Sequence, residues 1–408
     1  MTSTIVIGSG FAGLTAALFC AERGQKVTLL THGAGTLPLN SGVIDVLGYD
    51  ETRVRVVSPR EGLKKLSANH PYNKIGIATV EKAITHFLAT AEKYGFPYCG
   101  NLDKQIDVPT PAGTLKPTCL SPKSLDATDV SGKVTVVVVK ELKDFYGEII
   151  AANLKKFLPQ TTDYNIVTFD SGLTGGRDIT TLDVARLLDT KEGRDRFIAQ
   201  MLPHAKDTTF ITPQILGATN GECAEYIESK LNTRVIETTC LPPSVNGLRL
   251  RNMLLGALQS LKVKIVEDTT VLRAERQNGK CIAVVAKTAA REKRYTADRF
   301  ILATGGIYSG GVILPKFEEP KEPIFDLPVW FIPGEENHSN EEFFSDKPQG
   351  FAQMGIMTDE NLLPVDKNGN RILDNVYIVG RNLAGFDFCF EHSGNGVALS
   401  SAYKVATI

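Results

Sequence analysis

Apolar residues open the chain in a short unbroken run, Thr4-Ile5-Val6-Ile7, which gives way at once to Gly8-Ser9-Gly10-Phe11-Ala12-Gly13. Behind that turn Leu14, Ala17, Leu18 and Ala21 recur at i, i+3, i+4 and i+7, the stripe of a helix with a buried face. Gly24 suits the end of that helix, and Lys26-Val27-Thr28-Leu29-Leu30 reads as a second strand. The opening is therefore a βαβ unit of about 30 residues. From residue 51 to 229 the pattern loosens. Helical stretches around 79–95, 141–157 and 181–201 mix with the strand Thr135–Val139, and prolines and glycines punctuate them, which predicts an inserted second domain. Afterwards Leu250, Leu254, Ala257, Leu258 and Leu261 form a helical stripe, and Val263–Val266 a strand. Val271–Arg276 and Cys281–Val285 flank Asn278-Gly279, the strongest two-residue hairpin signal, and a third strand lies near Tyr295. Arg299–Ala303 runs into Thr304-Gly305-Gly306, and Asn375–Val379 into Gly380. Gly394-Asn395-Gly396 opens a last helix over Val397–Val405. The pattern predicts an α/β fold whose first domain is discontinuous: 1–50, 230–320 and 350–408, with 321–349 a connecting excursion.

Composition narrows the function. The chain has 408 residues, 42% apolar and 22% charged, ordinary globular usage with room for a sizeable core. Its 45 basic and 46 acidic side chains nearly cancel, which argues against nucleic acid as a partner. No long apolar window suggests a membrane span, and Met1-Thr2-Ser3-Thr4 has no secretory character. Seven scattered cysteines without a CxxC pair read as reduced thiols, and no metal-ligating set emerges.

The candidate chemistry sits at the glycine-rich strand ends. Gly8-x-Gly10-x-x-Gly13 follows a strand and opens a helix, the context in which the spacing means dinucleotide phosphate binding. The first glycine makes the turn, the second lets a phosphate approach, the third lets helix and strand pack, and the helix end supplies N–H groups and positive potential. Ser9, Phe11 and Ala12 belong to the same loop. The acid expected at the end of the second strand is absent, and Thr31 stands there. That leaves FAD held differently, a mononucleotide such as FMN, or an altered site. Thr304-Gly305 ends a strand in the manner of a two-dinucleotide-domain flavoprotein. Gly380, Asn382, Gly394 and Gly396 resemble the C-terminal flavin segment of that fold, where a helix start would stabilise charge on a reduced flavin. Asn40-Ser41-Gly42 could let a flat ring lie against backbone. The fold class expected is thus a FAD/NAD(P)-binding-like Rossmann flavoprotein with an inserted second domain. For an alcohol oxidation, His392 is a candidate base, with a capping or satisfied histidine as its structural alternative, and Arg249 and Arg251 are candidate cleft cations, with a solvated helix flank as theirs.

Leu39-Asn40-Ser41-Gly42-Val43-Ile44-Asp45-Val46-Leu47 and Leu241-Pro242-Pro243-Ser244-Val245-Asn246-Gly247-Leu248-Arg249-Leu250-Arg251-Asn252 resemble the B-subunit family of anaerobic glycerol-3-phosphate dehydrogenase. Ser309-Gly310-Gly311, Phe351–Gly355 and Gly385-Phe386-Asp387 extend the resemblance, which runs from about residue 4 to 402. Thr31 agrees with it. The resemblance implies a complex that oxidises sn-glycerol 3-phosphate to dihydroxyacetone phosphate and passes electrons to quinone in anaerobic respiration. It implies FMN in this chain, with FAD the alternative. It also implies two partners: a FAD-containing dehydrogenase chain, the A subunit, and an iron–sulfur membrane-anchor chain, the C subunit, which holds the assembly at the cytoplasmic face of the membrane. This chain would relay electrons between the two. A self-sufficient soluble flavin oxidoreductase acting on another substrate, and a structural protein with an empty nucleotide site, are the competing expectations.

Overall fold

The computed structural model describes residues 1–316, 318–342 and 345–408. Its central sheet has five parallel strands in the order Lys264–Val266, Lys26–Leu30, Ser3–Ile7, Arg299–Leu302, Val376–Ile378. Ile5, Val6, Ile7, Phe300, Ile301 and Leu302 are all buried, because both faces of the sheet are covered. The first helix, Phe11–Glu22, packs on the C-terminal helix, Gly394–Thr407, and on the long helix Val245–Ser260. The two ends of the chain therefore build one layer.

A second parallel sheet, in the order Val235–Glu237, Thr208–Thr212, Gly132–Val139, Thr161–Phe169, has its own apolar clusters. Most of it comes from the stretch 51–229 expected as an insertion, but its edge strand Val235–Glu237 lies beyond that stretch, in the part expected to belong to the first domain. The start of the stretch packs elsewhere. The helix Ile77–Lys93 packs on the C-terminal helix, and Leu63, Tyr72, Val80, Phe87 and Leu102 join the core of the central sheet. A short antiparallel hairpin, Ile106–Pro109 with Leu115–Thr118, lies between the two sheets in sequence.

Two helical expectations need correction. The stretch 141–157 is helical only over Gly147–Phe157; before it, Leu142 and Phe145 turn into the inserted core at the carboxyl end of Gly132–Val139. The stretch 181–201 is two helices, Thr181–Leu188 and Lys191–Met201, because the Thr190 hydroxyl accepts the Gly193 N–H at 3.0 Å and restarts the helix. The expected hairpin is present: Asn278 and Gly279 both have positive φ, 50° and 72°, between the strands Thr270–Gln277 and Lys280–Lys287. Among the described residues, no helix is long and apolar enough to cross a membrane.

Candidate cofactor site

A cleft of about 540 Å³ opens at the carboxyl ends of the central strands, where ligands of open parallel sheets bind. The loop Gly8–Ala12 forms its floor. Gly8 has φ +108°, and a Cβ on it would stand 2.4 Å from the Ala303 carbonyl oxygen; its N–H donates to the Leu30 carbonyl at 2.9 Å. Gly13 lies beneath the loop rather than in the cleft, with no room for a Cβ against the Gly8 carbonyl. Gly10 is different. A Cβ there would meet nothing within 4 Å, so the open backbone faces free space. The helix that begins behind it has no side-chain cap and no acid in its first turn. Its leading N–H groups and positive end suit a phosphate, which is the fit a dinucleotide needs.

The cleft extends both ways from that floor. On one side are Thr31, His32 and the segment Thr269–Leu272. The Thr31 hydroxyl is buried, 2.5 Å from Ser9 Oγ and 2.7 Å from the Gly33 carbonyl it donates to. Ser9 Oγ also reaches the Gly33 carbonyl at 2.5 Å. With its proton committed, Thr31 can offer a ligand only an acceptor. On the other side are Thr304, Gly305, Arg381, Gly394 and Asn395. The C-terminal helix, like the first, starts without a side-chain cap or an early acid. Burial pulls the Arg381 pKa down from its ordinary value, and its guanidinium stacks 4.0 Å over the Phe388 ring.

Gly8, Ser9, Gly10, Phe11, Ala12, Thr31, Thr304, Gly305 and Gly394 thus line one cleft. Other expected contacts stand behind it. Asn382 is fully buried; its Oδ1 accepts the Gly305 N–H at 2.8 Å and its Nδ2 donates to Thr304 Oγ1 at 3.1 Å, so it ties the Thr304-Gly305 turn to the segment Gly380–Asn382 behind it. Gly380 gives Ala12 the space a side chain would take. Gly396 packs beneath Tyr72, and its N–H donates to the Asp45 carbonyl at 2.8 Å. Asn40, Ser41 and Gly42 do not reach the cleft. Gly42 is pressed against Asn246, and Gly247 against the Leu37 and Asn40 carbonyls, so the start of the helix Val245–Ser260 holds this segment away. The sequence reading missed Gly33, Gly35, Thr36, Thr269–Leu272, Arg381 and Asn395 as lining residues. Two glycines directly after the second strand were the available signal.

The candidate catalytic residues separate. Arg249 faces neither cleft nor solvent, contrary to both readings of it. It is 2% exposed and pairs with the fully buried Glu237 at 2.7 Å, and its Nε donates to the Gly217 carbonyl at 2.8 Å. It joins the long helix to the inserted domain. Arg251 is half-buried and does not line the cleft; its Nε has no hydrogen-bond partner among the described residues. His392 is two residues before Gly394, in left-handed backbone with φ 50°, its ring edge-on to Tyr49 at 4.9 Å. Burial, aided by Lys116, pushes its pKa down to about 4, and its Nδ1 is buried without a partner among the described residues. It is neutral at pH 7.

Comparison with known proteins agrees with this geometry. The family described as FAD binding domain matches residues 3–397. A Halobacterium salinarum protein named as the probable B subunit of anaerobic glycerol-3-phosphate dehydrogenase is 32% identical, covering 100% of this chain and 97% of its own. The B subunit of the same dehydrogenase from Aliivibrio fischeri is 30% identical over 99% of this chain and 94% of its own. Among solved structures, 3-ketosteroid Δ1-dehydrogenase from Sterolibacterium denitrificans aligns over 100% of this chain and 99% of its own, with 10% identity and a TM-score of 0.47.

Proposed function

Because the chain belongs to the FAD binding domain family and, within it, to the B-subunit family of anaerobic glycerol-3-phosphate dehydrogenase, we propose that it is the flavin-holding, electron-relaying member of that complex. The observation that carries the reading is the cleft with an uncapped helix start at its floor and a second at one end. The first suits a pyrophosphate, the second the negative charge that builds on a reduced ring system. A bound flavin supplies a hydride and electron acceptor for oxidation of a secondary alcohol.

The proposed cofactor is FAD, where the missing acid alone had favoured FMN. The cleft continues past the phosphate loop to Thr31, His32 and Thr269–Leu272, a length of wall that a mononucleotide would leave uncovered. Gly8–Ala12 would hold the phosphates, the Thr31 oxygen would accept from a ribose hydroxyl, and Gly394 and Asn395 would face the ring. Asn382 holds the Thr304-Gly305 turn to the segment Gly380–Asn382. Electron transfer from a FAD-containing dehydrogenase partner to an iron–sulfur partner, and onward to quinone, belongs to the same proposal. So does attachment to the cytoplasmic face of the membrane through the iron–sulfur partner.

Mass spectrometry of the small molecule released on denaturing the purified chain tests this. FAD supports the reading and FMN would favour the shorter occupant. A chain that carries no flavin after expression with its partners refutes it in favour of a structural role.

A further inference from the structure

A separate cavity lies at the second sheet. In chain order the strands of that sheet are Gly132–Val139, then Thr161–Phe169 beside it, then Thr208–Thr212 on the opposite flank of the first, then Val235–Glu237 outside that. The order reverses between Gly132–Val139 and Thr208–Thr212. In open parallel sheets the crevice beyond the carboxyl ends at such a reversal is where ligands bind. The cavity, of about 160 Å³, is in that place. Every strand sends its exit into the lining, through residues 142–145, 178–181, 213 and 238–243. It shares no lining residue with the cofactor cleft.

Its walls are apolar over Phe145, Ile179, Pro213 and Pro243. The charges belong to the outside: Lys143 Nζ donates to Asp178 Oδ1, and both side chains and Asp144 are exposed. Cys240 is a neutral thiol, because burial raises its pKa and Sγ donates to Gln214 Oε1 at 2.9 Å. Two hydroxyls are left over. Thr238 is fully buried, and its Oγ1 has no partner among the described residues. Thr239 is 8% exposed and its N–H is tied to the Pro109 carbonyl at 2.8 Å, but its hydroxyl makes no hydrogen bond among the described residues. Buried hydroxyls are ordinarily paired, so two open ones side by side on a cavity wall call for an occupant. Water is a poor one, since it needs two to four polar partners and the apolar walls offer none beyond the threonines. A cavity of roughly 150 Å³ admits a benzene ring. The same walls reject a net charge, and they reject a polyol, whose further hydroxyls would go unpaired.

We propose that this cavity is a second ligand site, which takes a small uncharged ring compound carrying a single hydroxyl group. Phe145, Ile179 and the prolines enclose the ring, and the Thr238-Thr239 pair bonds the hydroxyl. The site stands independently of the flavin reading, because no residue of the cofactor cleft takes part in it.

Isothermal titration calorimetry of the full-length chain with phenol tests the inference, with or without flavin bound. Benzene, benzoate and glycerol serve as comparison probes. The expected result is saturable binding of phenol at one site, binding of benzene about 10-fold weaker, and none of benzoate or glycerol over the same range. The double variant T238V/T239V replaces both hydroxyls by methyl groups. It should bring phenol down to the affinity of benzene, about 10-fold, and leave benzene where it was. Ile179→Trp fills the cavity and should abolish the binding of both rings. Thermal melts check that each variant is folded. An absence of saturable phenol binding in the folded parent chain overturns the inference. Equal phenol affinity in the parent chain and a folded I179W does so too, because the phenol then sits elsewhere. Phenol affinity unchanged in T238V/T239V, or benzoate or glycerol binding as well as phenol, overturns the class of ligand assigned. If I179W fails to fold, the threonine variant decides the matter alone.

Discussion

Replacing Arg249 by methionine isolates a buried ion pair that joins the long helix to the second sheet. Methionine fills much of the volume but leaves Glu237, which is 0% exposed, with only the Ser124 hydroxyl at 2.9 Å and the Leu216 N–H at 2.8 Å. Removing one partner of a buried pair costs about 3–5 kcal/mol. The Gly217 carbonyl loses both of its Arg249 donors, a penalty of about 1–3 kcal/mol that overlaps the first rather than adding to it. Taken together the loss is about 4 kcal/mol. With an unfolding entropy near 2.1 cal/mol/K per residue, a 408-residue chain that unfolds as one unit should then melt about 5 °C lower. If the inserted domain unfolds by itself, as a unit of about 100 residues, its transition should drop by roughly 20 °C. Differential scanning calorimetry at fixed flavin occupancy distinguishes these cases. The double variant R249M/E237Q removes the stranded charge and should recover roughly 2 kcal/mol. A melting temperature unchanged by R249M, coupled with lost substrate binding, would refute the structural role and make Arg249 a functional group again.

Gly13→Ala places a Cβ 1.8 Å from the Gly8 carbonyl, so the phosphate loop must deform; the flavin absorbance of the purified variant near ~450 nm should fall to a small fraction of the parent's. Thr31→Val removes the hydroxyl that links Ser9 and Gly33, and equilibrium dialysis should show flavin binding weakened by about 10-fold, with an unchanged value counting against the role given to Thr31. His392 titrates near 4 in the folded chain against 6.5 unfolded, so its contribution is complete above pH 6.5 and is lost as the pH falls towards 4. Its burial therefore costs the folded state up to about 3 kcal/mol at the acid end. Urea melts of the parent and H392Q should diverge across that window and run parallel above it; parallel curves throughout would contradict the buried neutral ring.

Local chemistry was the legible part. Gly8, Gly10 and Gly13 announce their roles because strand, turn and helix are contiguous, and Asn278-Gly279 fixes its hairpin by backbone conformation alone. What stayed hidden depends on partners remote in sequence. Arg249 read as a helix flank because Glu237 approaches from the end of another domain's strand. Asn40-Ser41-Gly42 had the right composition for a ring contact, but Gly42 is sealed by Asn246. The Asp45–Lys116 pair joins residues 71 positions apart, and no periodicity encodes it. The helix Ile77–Lys93 went to the insertion because its sequence neighbours do, whereas its apolar face meets a helix from the far end of the chain.

The central strand Ser3–Ile7 has a consequence for biosynthesis. It is hydrogen-bonded on one side to Lys26–Leu30 and on the other to Arg299–Leu302, with Ser3 and Asp298 bonded across 295 residues. At a synthesis rate of about 5–20 residues per second, one apolar edge of that strand waits roughly 15–60 s on the ribosome for its mate. The inserted sheet, contiguous between residues 132 and 237, can close in the meantime. The cleft is not complete until Gly394 and Asn395 have been added to Gly8–Ala12, more than 380 residues after them. A cofactor that needs both walls of the cleft can therefore be captured only after the segment Gly394–Asn395 has joined the first βαβ unit.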